Sequence, residues 1–315
     1  MKKLGIICLL IFFANLQYLY AYWIWNPKSG QWVNPKLSVK QGPQKQFEFA
    51  LSLYNAEEYV DAKREFKKLI RHFPKAKEAA ESQYYLGLIE EKLGNLYEAF
   101  KEYQKVIDTY PFSERIGEVI ERQYAIGEAF MLGKAKRKAL GLELPVDNPA
   151  LEIFAKVVEN SPYGALAAKA QYQLGMVYKN LGQYYEAEEA FNKVINNYPD
   201  SEWAQSAKFQ IAACRALASR GPAYDQGSTK EAREKFQEFI LSSPQTPLVN
   251  EAENRLKELS EKEAESNYQI GRFYEKQRDY KAAEIYYNAT IEVAPESPWA
   301  VRAMERLKIM EKTKR

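Results

Sequence analysis

Histidine is all but missing from this chain, with His72 standing alone among 315 residues. A metal centre built on two or more histidines is therefore excluded, and so is a histidine dyad for acid–base work. Cysteine is nearly as scarce. Cys8 falls in the apolar stretch near the start, which leaves Cys214 without a partner for a disulfide. Its setting, Ile211-Ala-Ala-Cys-Arg-Ala-Leu, suits a small buried hydrophobe. Glycine-rich phosphate loops of the P-loop or dinucleotide type are absent. Beyond the N-terminal stretch no apolar run approaches the roughly 20 residues of a membrane-spanning helix. An excess of one charge is also missing, because 45 basic side chains face 42 acidic ones. Nucleic-acid binding needs a strongly basic face, so it is not expected here.

What is present begins with an export signal. Lys2 and Lys3 precede an apolar run from Leu4 to Ala14, and Leu19 and Ala21 stand at the −3 and −1 positions of a cleavage site. Residues 1–21 are thus expected to be a signal peptide, with an uncleaved membrane anchor as the alternative because the apolar stretch runs on through Tyr18, Leu19 and Tyr20. Residues 22–42 form a tryptophan-rich lead containing Trp23, Trp25 and Trp32, three of the five tryptophans. Such a lead can fold back into a groove, sit at a membrane interface, dock on a partner or cap the first helices.

From residue 43 onward a repeat emerges. Six prolines, Pro74, Pro111, Pro162, Pro199, Pro244 and Pro295, are spaced 37, 51, 37, 45 and 51 residues apart. Eight positions before each lies an aromatic: Phe66, Tyr103, Phe154, Phe191, Phe236 and Tyr287. Twelve positions before each lies an alanine: Ala62, Ala99, Ala150, Ala187, Ala232 and Ala283. Four residues apart, alanine and aromatic share one face of a helix. The alanine admits a neighbouring helix closely, the aromatic fills the space beside it, and proline ends the helix. Leu86-Gly87 and Leu174-Gly175, followed by Gly94 and Gly182, mark a preceding helix and its tight exit. Helix pairs of this kind bury their apolar faces only by stacking.

These residues resemble the tetratricopeptide-repeat family, and the stretch from Tyr172 to Phe191, ending at Pro199, is the fullest copy. The resemblance implies an all-α solenoid of about six helix pairs. The longer spacings predict insertions at 133–148 and 219–228, one long helix from Leu248 to Gln277, and a capping helix from Pro298 to Lys312.

Catalysis is not expected, and neither is a cofactor or a metal. His72 suits a helix C-terminus, where a cation meets the macrodipole. The many carboxylates stand at helical spacing from lysines, as in Glu65 and Lys68 or Glu102 and Lys105, which reads as solvated faces. What remains is surface. One first-helix position is aromatic in all six copies: Phe47, Tyr84, Tyr124, Tyr172, Phe209 and Tyr268. A ladder at this position could grip a peptide, or it could simply pack.

The chain further resembles the BamD family of outer-membrane β-barrel assembly components over residues 43–310. The likeness rests on the signal and lead, on the ends Phe73-Pro74, Tyr110-Pro111 and Tyr198-Pro199, and on the run from Ala223 to Phe239 before a long helix. It implies a periplasmic scaffold associated with the outer membrane. Its N-terminal repeats, 43–162, would receive unfolded barrel substrates, and its C-terminal repeats, 163–315, would dock the central barrel subunit. The lipid-bearing cysteine usual in that family has no counterpart near Ala21, so attachment through partners, helped by Trp23, Trp25 and Trp32, is expected instead. A periplasmic adaptor in envelope constriction or polysaccharide export is the alternative.

Overall fold

The computed structural model describes residues 23–27, 30–33, 38–134, 138–139, 142–143, 148–218 and 226–314. The expected signal peptide and most of the 219–228 insertion lie outside these residues. The chain divides into two compact units, one ending at Ile116 and the other starting at Gly117.

The first unit opens with a hairpin of β1 (Ile24–Asn26) and β2 (Gln31–Val33), paired antiparallel. Four helices follow: α1 (Pro43–Asn55), α2 (Tyr59–His72), α3 (Lys77–Lys92) and α4 (Leu96–Thr109). The second unit holds α5 (Ile116–Met131), whose first residue closes the first unit, a minimal hairpin of β3 (Lys138–Ala139) and β4 (Leu142–Glu143), and then α6 (Pro149–Asn160), α7 (Ala167–Asn180) and α8 (Tyr184–Asn197). It continues with α9 (Glu202–Ala218), α10 (Gln226–Ser242), the 28-residue α11 (Val249–Lys276), α12 (Tyr280–Val293) and α13 (Pro298–Lys314). The chain is an all-α tetratricopeptide-repeat solenoid. The long helix, the final helix and the interruption between α5 and α6 fall where the proline spacing placed them.

The four short turns inside pairs share one geometry. In four pairs the residue two before the second helix is left-handed: Glu57, Gly94, Gly182 and Arg278, with φ of 62°, 75°, 75° and 63°. The next amide in each then donates back across the turn, as from Asn95 to the Glu90 carbonyl at 2.8 Å and from Gln183 to that of Tyr178 at 3.0 Å. This closure satisfies carbonyls that a helix end would otherwise leave bare. Some second helices also gain a side-chain cap. Asp279 accepts from the Ala282 amide at 3.1 Å, and Asn148 accepts from that of Ala150 at 3.1 Å just before Pro149.

Alanine and aromatic columns form the cores. Ala62, Ala99, Ala150, Ala187, Ala232 and Ala283 are all fully buried, as are Phe66, Tyr103, Phe154, Phe191, Phe236 and Tyr287. In the first unit Ala50, Ala62, Phe66, Leu86 and Ile89 make one cluster. In the second, Cys214 packs among Ala187, Phe191, Val194, Ala207 and Ile211. Burial pushes its thiol up to about 11, so it acts as a core hydrophobe and not as a nucleophile.

Candidate functional site

The six first-helix aromatics all point at the second helix of their own pair. Ring centroids lie 5.7 Å apart for Phe47–Phe66, 5.9 Å for Tyr84–Tyr103 and 5.5 Å for Tyr124–Phe154. They lie 5.4 Å apart for Tyr172–Phe191, 5.6 Å for Phe209–Phe236 and 5.7 Å for Tyr268–Tyr287. Each such pair contributes about 0.5–1.5 kcal/mol beyond its burial.

Three residues after each of these aromatics the side chain is small: Ala50, Gly87, Gly127, Gly175, Ala212 and Gly271. A Cβ on Gly87 would stand 2.3 Å from the Tyr103 ring, and one on Gly175 would stand 2.6 Å from that of Phe191. Glycine here lets the second-helix ring lie directly on the first-helix backbone. Where that ring is a tyrosine its hydroxyl needs a partner. Tyr103 donates to Glu91 at 2.7 Å, and Tyr287 donates to Glu275 at 2.6 Å.

One element of the lock escaped the sequence patterns. The residue before the aromatic is glutamine in four copies, and it bridges to the second helix. Gln46, Gln83 and Gln171 donate to the backbone carbonyls of Glu65, Glu102 and Ala190 at 3.2, 3.0 and 3.0 Å. Gln123 instead accepts from Asn160 at 3.1 Å. The column at 46, 83, 123 and 171 could have been seen by extending the aromatic alignment by one residue.

Glu65 and Glu102 are not solvated as their lysine spacing suggested. Both are buried, because Gln46 and Gln83 also donate to their carboxylates, at 2.9 and 2.6 Å, and draw them inward. Lys68 and Lys105 complete the pairs at 2.8 and 2.9 Å. Burial would raise the Glu65 pKa, but hydrogen bonds from Lys68 and Gln46 outweigh it and hold the carboxyl below its ordinary value.

The lock determines what the ladder can offer a ligand. Tyr84, Tyr124 and Phe209 are buried at 3–4% exposure, while Phe47, Tyr172 and Tyr268 keep part of their rings open. Polar and aromatic groups crowd the same helix faces. In the first unit Arg115 lies 4.9 Å from the Tyr84 ring centre and pairs with Glu81 at 3.2 Å. In the second unit Lys169 lies 4.7 Å from the Tyr124 ring centre, and Tyr124 donates to Glu128 at 2.8 Å. Tyr172 meets Trp203 at 5.0 Å and Tyr268 meets Trp299 at 5.5 Å, which extends each open ring into a broader aromatic surface.

Trp25 and Trp32 stand directly opposite in the N-terminal hairpin, with centroids 5.7 Å apart in an edge-to-face arrangement. Trp23 immediately precedes β1. All three are exposed, at 54%, 48% and 62% for Trp23, Trp25 and Trp32. The lead therefore presents exposed indole rings. Among the described residues no three His, Cys, Asp or Glu side chains converge as a metal site would require, and no helix is long and apolar enough to cross a membrane.

Comparison with known proteins agrees with this architecture. Tetratricopeptide-repeat family models match residues 47–114 and 169–201. A family model described as outer membrane lipoprotein matches residues 218–315, from the end of α9 through α13. The outer membrane protein assembly factor BamD of Caulobacter vibrioides is 26% identical over 145 residues, which are 46% of this chain and 48% of that protein. The chain is a tetratricopeptide-repeat protein similar to BamD. The matched stretch spans about half the length of that relative. Solved repeat proteins align more loosely. The C-terminal part of one from Cytophaga hutchinsonii is 20% identical with a TM-score of 0.35, covering 84% of this chain and 88% of that one. One from Parabacteroides merdae is 17% identical with a TM-score of 0.35, covering 84% and 97%. The region matched by the outer membrane lipoprotein model contains the long helix and the terminal helix.

Proposed function

We propose that this BamD-like chain is a non-catalytic scaffold in outer-membrane β-barrel assembly, working at the periplasmic side of the outer membrane. The observation that carries the reading is the outer membrane lipoprotein model on residues 218–315, joined to the likeness to BamD. Residues 43–162 receive unfolded barrel substrates, and residues 163–315 dock the central barrel subunit. This division is one of function and does not follow the compact units, which part at Ile116. The terminal strand of a barrel alternates apolar and polar side chains and often ends in an aromatic ring. A partly open aromatic on the N-terminal repeats suits such a segment, and Phe47 is the ladder residue there that keeps exposed surface. Tyr172 and Tyr268, each broadened by a tryptophan, suit the partner-docking half. The exposed indoles of Trp23, Trp25 and Trp32 support attachment at a membrane interface or to a partner, as indole rings favour both.

A photo-crosslinker placed at Phe47 should capture a peptide carrying the last strand of an outer-membrane barrel, while one at the buried Tyr84 should not. Equal capture at the two positions, or none at Phe47 in a chain with native helicity, would sink the substrate assignment.

A further inference from the structure

We propose that the outward face of α2 is a docking trough for an acidic segment of a partner protein, a site separate from the aromatic ladder and independent of the assembly reading. A shallow concavity runs along this helix, lined by Val60, Lys63, Arg64, Lys67, Arg71 and His72 together with Lys68. The residues recur at helical spacing, so they form a single stripe of roughly 18 Å at 1.5 Å per residue. Internal pairing consumes only part of the charge. Lys63 pairs with Glu90, Arg64 with Asp61 at 2.7 Å, and Lys68 with Glu65 at 2.8 Å. Lys67, Arg71 and His72 are exposed and form no ion pair among the described residues.

The repeat itself does not call for these cations. Aligned on the alanine and aromatic columns, the position of Lys67 holds Gln104, Ala155, Asn192, Gln237 and Asn288 in the other second helices. The position of Arg71 holds Asp108, Glu159, Asn196, Leu241 and Glu292. Five helices of the same fold thus terminate without a basic residue at either place, and α2 alone has one at both. A stabilising cation at a helix end would have been just as useful in the other five.

The form of the trough identifies the occupant. Its lining is largely aliphatic, from lysine stems and the 74% exposed Val60, with the charged ends around it. That combination complements a segment carrying repeated carboxylates and an apolar side chain. A bilayer surface meets basic groups headgroup by headgroup and has no need of an elongated trough with an apolar end.

The test uses the full chain and a labelled amphipathic peptide of glutamates and leucines, followed by fluorescence anisotropy. The site predicts binding that weakens as salt rises. It also predicts no binding of the same peptide with glutamine in place of glutamate. Lys67→Glu/Arg71→Glu should weaken binding by roughly tenfold or more, with a thermal midpoint lowered by only a few degrees, since both side chains are exposed and a reversed charge at the helix end costs little. Lys257→Glu/Lys308→Glu, the same charge change at exposed positions on α11 and α13, should leave binding intact. Failure of the glutamate peptide to bind, or equal loss in the two variants, would overturn the proposal. It would equally fall if phosphatidylglycerol vesicles, and not the peptide, bind in a way that the α2 variant abolishes.

Discussion

Phe191→Ala should lower the free energy of unfolding by about 3–5 kcal/mol, the usual cost of emptying an aromatic site in a packed core. Phe191 is fully buried and fills the space against Gly175 and Tyr172 while bordering Cys214 in the same cluster. Gly175, which lies directly under the ring, has no side chain with which to fill the hole. Stacked repeats hold each other mainly through adjacent interfaces. The loss should therefore both lower the midpoint of urea unfolding and broaden the transition, as repeats on either side of α8 uncouple. A variant that unfolds within about 1 kcal/mol of the parent would show that the aromatic column is not the spine of the fold.

A smaller change should produce opposite signs at two glycines. In Gly87→Ala the new Cβ would lie 2.3, 2.5 and 2.7 Å from three atoms of the Tyr103 ring. That ring is fully buried and its hydroxyl is tied to Glu91, so it has little room to retreat. Overpacking of this kind costs about 1–3 kcal/mol and sometimes more, which outweighs the gain of up to about 1 kcal/mol from replacing a helical glycine. A net loss of about 2 kcal/mol is expected. Gly117 also lies in a helix, but a Cβ there meets nothing within 4 Å. Gly117→Ala should therefore stabilise by a few tenths to about 1 kcal/mol. Chemical denaturation of the two variants side by side checks the signs. A neutral or stabilising Gly87→Ala would contradict the close approach of Tyr103.

Much of this architecture was legible because repetition makes sequence patterns register against each other. Alanine, aromatic and proline columns placed the helix pairs, and an uninterrupted stretch foretold α11. The candidate site was harder to read. An aromatic at a fixed first-helix position looks the same whether it opens to a groove or closes on its partner helix. Only the three-dimensional pairing separates Tyr84, Tyr124 and Phe209, which are buried, from Phe47, Tyr172 and Tyr268, which are not. Glu65 and Lys68 gave a false impression for a related reason. An i,i+3 ion pair is drawn identically for a wet and a buried carboxylate, and the deciding contact came from Gln46, nineteen positions away. The tryptophan-rich lead left several fates open. The structure adds the cross-strand pairing of Trp25 and Trp32, with both indoles exposed.

The same scaffold reading accounts for the regular core, the exposed indoles of the lead and the match to the outer membrane lipoprotein model at the C-terminal repeats. Its most direct test is affinity purification of the tagged full chain from detergent-solubilised cell envelopes, with the recovered proteins identified by mass spectrometry. The central β-barrel subunit of the outer-membrane assembly machinery should be recovered, and truncation after Ala218, which removes the region matched by the outer membrane lipoprotein model, should abolish its recovery. Recovery of envelope-constriction or polysaccharide-export components without that subunit would contradict the account.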